Sequence, residues 1–253
     1  MKNTILSAKG LCKSFAHNGK QNHILSNLDI DIYEGDFTVV MGASGSGKST
    51  LLYALSGMDR ATSGQVLYKG EDIVKMPEKK LSALRCGDFG FIFQQMHLVS
   101  NLSVFENITV PGYLNKSRTS AEVDKRAEEL TEKMGITHIK KQLPSQCSGG
   151  EQQRCAIARA VINSPELIFA DEPTGALNRK NTTEVLDLLT TLNNDGQSIL
   201  MVTHDSRAAL RADRIIYIAD GTVIGDLELP RYTAESEKSR ETQINSWLSS
   251  MEW

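Results

Sequence analysis

The sequence predicts an α/β fold: a parallel sheet wound by helices, with a small antiparallel β layer ahead of it and an inserted helical subdomain. Two observations carry that expectation. Four apolar runs of strand length, rich in Val, Ile or Phe, occur at Phe37–Met41, Leu167–Ala170, Ser198–Val202 and Arg214–Ile218. Each ends near Gly, Pro or Asp, as buried parallel strands tend to. Segments of helical period lie between them, and strands alternating with helices argue for a parallel sheet.

Taken in order, Thr4–Tyr33 alternates polar and apolar residues around the turn signal His17-Asn-Gly19, which predicts the antiparallel layer. Phe37–Met41 then leads through a Gly/Ser-rich loop to a helix from about Lys48. From about Leu98 to Asn163 no strand pattern is convincing. There Thr119 and Glu122 form a capping box, and Val123, Ala127, Leu130 and Met134 follow at helical spacing until Gly135 stops the helix. Val185, Leu188, Leu189 and Leu192 mark another helix, closed by Gly196. After Leu229 the chain is polar, yet Ile244, Trp247, Leu248 and Met251 share one face of a short amphipathic helix, expected to pack on its own domain. The expected division is a main domain over 1–229, with the helical subdomain inserted at about 98–163, and a tail over 230–253.

Composition narrows the function classes. The 253 residues carry 28 Lys+Arg against 31 Asp+Glu, a net charge of −3, which argues against a nucleic-acid binder or a polybasic membrane-surface protein. With 40% hydrophobic and 23% charged residues the chain can bury a core, so whole-chain disorder is excluded. No apolar run approaches the roughly 20 residues that span a bilayer. The first eight residues are too short and polar for a signal peptide. Cys12, Cys86, Cys147 and Cys155 contain no CxxC pair and read as free thiols in a reducing compartment. A cytoplasmic protein is expected.

Three motifs carry chemistry. Gly42-Ala-Ser-Gly-Ser-Gly-Lys-Ser49 matches G-x-x-x-x-G-K-[ST] in full, between a strand and a helix. Glycines let the backbone curl around phosphates, and the helix N-terminus adds its positive end. The expected nucleotide-binding set is Gly42, Ala43, Ser44, Gly45, Ser46, Gly47, Lys48, Ser49 and Thr50, with Lys48 on the β- and γ-phosphates and Ser49 on Mg²⁺. The strand Leu167-Ile-Phe-Ala delivers Asp171 and Glu172 to its C-terminal end, where ligands bind in α/β sheets. Asp171 is expected to hold Mg²⁺, and Glu172 to orient or deprotonate an attacking water. In Ser148-Gly-Gly-Glu-Gln-Gln-Arg154, Ser148 and Glu151 make a capping box, while the paired glycines expose N–H groups to an anion.

With these residues in place the chain resembles the ATP-binding cassette ATPases, over about Leu6 to Ile224. The motifs occur in that family's order: the P-loop Gly42–Ser49, Gln94 after the strand Gly90-Phe-Ile-Phe93, the signature Ser148–Glu151, Asp171–Glu172, and His204 after Leu200-Met-Val-Thr203. The resemblance implies a P-loop NTPase (RecA-like) core that hydrolyses ATP with Mg²⁺. It implies that Gln94 contacts Mg²⁺ and senses a permease, and that His204 contacts the γ-phosphate. It implies that Phe15 stacks on adenine. Ser148, Gly149, Gly150 and Glu151 would face the ATP held by the other chain of a head-to-tail homodimer. It also implies a transmembrane permease partner, placing the chain on the inner face of the membrane.

Three positions depart from the family pattern. Cys147 stands where Leu usually opens the signature, Glu151 where many members have Gln, and Asn178 where the D-loop usually has Asp. None touches Lys48, Asp171 or Glu172, so an active ATPase is expected. The wording of the motifs resembles the branch of macrolide-exporter, lipoprotein-release and bacitracin-efflux ATPases. Gly175-Ala-Leu-Asn178 and the tail resemble its antimicrobial-peptide resistance group. The alternatives are lipoprotein release and a non-transporting regulator of a cell-wall hydrolase. Repair cassettes carry long coiled coils between P-loop and signature, whereas only a hundred positions separate Lys48 from Ser148 here. Translation cassettes usually occur in pairs, and this chain has one.

Overall fold

The structure, a computed structural model, describes residues 2–17 and 20–251, with the backbone alone at His17 and Lys20. The predicted turn at Asn18 and Gly19 lies outside the described residues. In chain order the strands are β1 (Thr4–His17), β2 (Lys20–Tyr33), β3 (Phe37–Met41), β4 (Ser63–Tyr68), β5 (Glu71–Asp72), β6 (Phe89–Phe93), β7 (Leu167–Asp171), β8 (Ser198–Val202), β9 (Arg214–Ala219) and β10 (Thr222–Glu228). The α-helices are α1 (Lys48–Leu55), α2 (Glu78–Gly87), α3 (Val104–Asn115), α4 (Ser120–Lys133), α5 (Gly149–Val161), α6 (Arg179–Asn194), α7 (Ser206–Ala209) and α8 (Glu237–Ser249). The chain forms two compact units, residues 1–81 with 196–253 and residues 82–195; the division falls within α2.

In the first unit every residue of β3 is buried, which explains its unbroken apolar run. It pairs in parallel with β8, Val40 beside Val202, and with β9, Met41 beside Tyr217. β10 closes back antiparallel on β9. The antiparallel layer is β1 with β2 on one side and β4 on the other. Register breaks between Ala8 and Leu11 let so long a pair bend while Leu6, Ala8 and Leu11 stay buried. Helix α8 buries Ile244 and Leu248, and Trp247 meets Tyr217 edge-on at 6.5 Å. Its buried Arg240 donates to the carbonyls of Leu210 (2.8 Å), Pro230 (2.5 Å) and Ala212.

In the second unit β6 runs parallel to β7 from Phe89–Leu167 to Phe93–Asp171. Phe91 stacks on Phe169 at 5.7 Å. Helices α3, α4 and α5 pack on one another. A Cβ on Gly112 of α3 would stand 2.6 Å from a Val123 methyl of α4, so glycine sets that approach. Helix α4 opens on the capping box of Thr119 and Glu122 and buries Val123, Ala127 and Leu130. The apolar face of α6 centres on Val185, Leu186 and Leu189; Leu188 is only half-buried. Among the described residues no helix is long and apolar enough to cross a membrane.

Candidate nucleotide site

The first unit carries the phosphate loop. Gly42 follows β3, and a Cβ there would come within 2.2 Å of the Ile218 carbonyl on β9 and 2.7 Å of Ser46 Oγ. Only glycine lets the loop leave the sheet so close to its neighbour. Ser46 N–H donates to the Ala43 carbonyl at 3.2 Å and Gly221 N–H donates to the Ser46 carbonyl at 3.3 Å, so the β9–β10 turn braces the loop. Ser46 Oγ is buried and makes no hydrogen bond. Ala43, Ser44 and Gly45 form the exposed tip, and Ser49 and Thr50 are half-buried in the first turn of α1. The Lys48 ammonium is buried and donates to the carbonyls of Gly42 and Ala43 at 2.8 Å each. The first turn of α1 holds no acidic residue, and its N-cap Gly47 has no side chain to cap it. The positive end of the helix and a buried cation therefore converge on one loop, which is the chemistry a polyphosphate needs.

His204 is set by the same strand ends. Thr203 N–H donates to the Val40 carbonyl at 3.1 Å, so the residue after it leaves β8 level with the start of the loop, exposed. Phe15 lies on β1 and is 45% exposed. Lys13, two residues earlier, pairs with Leu25. A Cβ on Gly47 would stand 3.1 Å from Leu25 Cδ2. Phe15 thus sits about 7 Å along the strand from a β1–β2 pair that packs on the phosphate loop, at the usual strand rise.

The second unit, taken by itself, carries the carboxylates. The register of β6 and β7 ends on Phe93 beside Asp171, so Gln94 and Glu172 leave adjacent strands at one edge. Asp171 is buried. Gln94 lies along the turn after β7, its Nε2 only 2.8 Å from where a Cβ on Gly175 would be. Glu172 has φ +45°, a left-handed conformation rare outside glycine. It costs of order 1 kcal/mol or more, and such strain collects where a side chain must be aimed. The turn is closed by Gly175 N–H donating to the Glu172 carbonyl at 3.0 Å.

Helix α5 opens at Gly149, so both glycines enter the helix behind the Ser148 cap. Ser148 N–H and Oγ donate to Glu151 Oε2 at 2.8 and 2.6 Å. The Ser148 hydroxyl holds the Glu151 carboxyl below the usual carboxylate range, helped by the Ser148 N–H and by His138, 3.1 Å away. Ser148 and Gly149 are exposed, whereas Gly150 is buried. A Cβ on Gly150 would meet Asn181 of α6 at 2.6 Å, so packing alone demands that glycine. Asn178 caps α6 by accepting the Asn181 N–H at 3.0 Å, a task Asn performs without a charge.

Two residues of this unit carry weight that sequence reasoning missed. Gln153 Nε2 donates to the Phe93 carbonyl at 3.3 Å, and Arg159 donates to the carbonyls of His97 and Met96, both at 2.7 Å. Helix α5 thereby fixes both ends of the segment that begins with Gln94. Gln153 stands inside a motif already noticed; nothing local marks Arg159.

A strand, a glycine-rich loop with a buried lysine, a helix, and a second strand ending in Asp-Glu together define a P-loop NTPase. The sequence profile of the ABC transporter family matches residues 25–175. The chain is 38% identical over 253 residues to a macrolide export ATP-binding/permease protein, MacB, of Pasteurella multocida, covering 100% of this chain and 38% of that one. It is 44% identical over 225 residues to MacB of Mannheimia succiniciproducens, covering 88% and 35%. The chain thus spans little more than a third of these relatives' length. Among solved structures it is similar to the ATP-binding cassette MJ0796, as a dimer in a post-hydrolysis state with ADP and Pi, at TM-score 0.83 and 35% identity over 90% of this chain and 100% of that one. The chain belongs to the ABC transporter family, and within it is an ATP-binding, ATP-hydrolysing cassette.

Proposed function

We propose that this cassette is the energy subunit of a membrane exporter, held at the inner face of the membrane by a permease and closing on a second copy of itself around ATP. The cargo is a hydrophobic or peptide compound such as an antimicrobial peptide. The observation that carries this reading is the match along the whole chain to proteins described as both ATP-binding and permease for macrolide export.

The chain's own groups divide the work. Gly42–Thr50 would cradle the triphosphate, with Lys48 leaving its two carbonyl partners for the β- and γ-oxygens. Glu172 would take a proton from the attacking water as its oxygen bonds to the γ-phosphorus and the β–γ bridge breaks. His204 would steady the γ-phosphate, and Phe15 would take the adenine ring. Ser148, Gly149 and Gly150 would face the ATP of the partner copy. Among the described residues no cluster of three or more His, Cys, Asp or Glu could hold a metal. Ser49, Asp171 and Gln94 offer hard oxygen donors, which together with phosphate oxygens would suit Mg²⁺. Bound there, it would neutralise charge developing on the phosphates.

Two experiments test the reading. Glu172→Gln should keep ATP binding and lose turnover by roughly 10²–10⁴-fold, the range of a general base. Turnover near wild type would remove Glu172 from that role. For the permease, the segment Gln95–Asn107 offers exposed Val99 and half-buried Leu98 and Phe105. These are the apolar side chains of the segment that a partner could cover. Leu98→Asp or Phe105→Asp should weaken co-purification with the permease more than basal ATP hydrolysis. Unchanged co-purification of folded variants would move the docking surface elsewhere.

A further inference from the structure

Lys13 is an unusual lysine. It is 8% exposed, whereas lysines rarely leave water unless paired. Its ammonium donates to Asp59 Oδ1 at 2.6 Å and to the Arg60 carbonyl at 2.8 Å, in the chain that follows α1. It also lies 4.7 Å from the centre of the Phe15 ring. Residues two apart on a strand share a face, so β1 itself stacks the cation against the aromatic. Asp59 is fixed in turn, its N–H donating to the Tyr53 carbonyl of α1 at 3.1 Å. The helix that begins at the phosphate loop therefore anchors, from its far end, the cation that supports the ring.

We propose that Lys13 is a positioning residue for nucleotide binding: it holds the Phe15 ring as a fixed platform and makes it a better partner for a purine. This rests on the reading of Phe15 as the base-stacking residue. The physics has two parts. An exposed aromatic near a hairpin end samples several rotamers, and binding a base must then order it; an ammonium already seated on one face removes much of that cost. The same cation draws π density towards itself, leaving the other face poorer in electrons and suited to an electron-rich purine. Lys13 never touches the nucleotide. Its effect belongs to the base, not to the phosphates.

The test is steady-state hydrolysis of ATP by Lys13→Met, Lys13→Arg, Phe15→Ala and the double variant, with tripolyphosphate as a competitive inhibitor that has no base. Lys13→Met should raise KM for ATP about three- to tenfold, the range of a partly exposed cation–π pair, and change kcat far less. Phe15→Ala should raise KM by about tenfold or more, as loss of a base stack does. Lys13→Arg should restore KM. Lys13→Met added to Phe15→Ala should do nothing further, because the two act through one contact. Tripolyphosphate inhibition should be unchanged throughout. If Phe15→Ala leaves KM at the wild-type value, the base-stacking reading fails and the proposal with it. If Phe15→Ala raises KM and Lys13→Met does not, the proposal alone fails. A Lys13→Met variant that weakens tripolyphosphate as much as ATP would show the lysine acting through α1, which also overturns it. Should Lys13→Met unfold, Asp59→Asn loosens the same anchor from a half-exposed position and must raise KM in the same direction.

Discussion

Two helix N-termini in this molecule are equipped in opposite ways. Helix α1 opens bare: no carboxylate in its first turn, no side-chain cap, and a buried ammonium beside it. Helix α5 opens already capped, with Ser148 bonded to the Glu151 carboxylate. The first end carries no acidic residue and no side-chain cap in its own turn, and its helix dipole and the Lys48 ammonium both suit an anion brought from outside. The second has supplied its own anion. On the proposed reading, α1 takes the phosphates of its own nucleotide, whereas α5 meets those of the partner copy only on closure. That asymmetry fits the proposed order, in which nucleotide binds first and the second copy closes afterwards.

The largest expected effect breaks the first end. Lys48→Ala should abolish nucleotide binding, since the point charge facing the triphosphate is lost. A variant that binds ATP with wild-type affinity, by fluorescence titration, would sink the assignment of α1. Ser148→Arg strikes the other end. Bulk and charge there should block ATP-dependent dimers, read by sedimentation, while monomeric ATP affinity stays intact. Loss of monomer binding would mean that the two ends are not separable. The smallest effect sharpens the difference. Glu151→Gln keeps a capping partner but removes the internal anion, so the fold should change by no more than about 1 kcal/mol. Its pH behaviour has a definite sign. Because the folded carboxyl lies below its ordinary value of about 4.3, its contribution is complete above that value. It fades as pH falls through the folded one. Wild type should therefore lose more stability than Glu151→Gln between about pH 5 and 3, measured as Tm. Parallel curves would remove the charged cap from the account.

Much of the site was legible because its chemistry is written in short spacings. A P-loop needs its glycines and lysine within eight residues, and capping boxes need only positions i and i+3; those of Thr119 and Ser148 appear as read. Helix α3 went unread although it opens on a capping box of Ser103 and Glu106: it is apolar on several sides and carries Pro111 inside it, so its interior shows no clear period. The face of α6 was read one residue off, because Leu186 and Leu188 fit the same period and only the packed neighbours select between them.

The sequence by itself determined the motifs that carry the proposed chemistry: a glycine-rich loop with a lysine between strand and helix, an Asp-Glu pair at a strand end, a capped glycine-rich helix start. Each depends on backbone geometry over a few residues, which local residue types control. Tertiary structure alone decided what supports those groups. It brought Gln153 and Arg159 to the carbonyls around Gln94, set Asn181 against Gly150, and seated Lys13 beneath Phe15. Those contacts join residues far apart in the chain, except where one strand sets two side chains on a common face. A buried amide or ammonium is kept only where packing presents it with a partner.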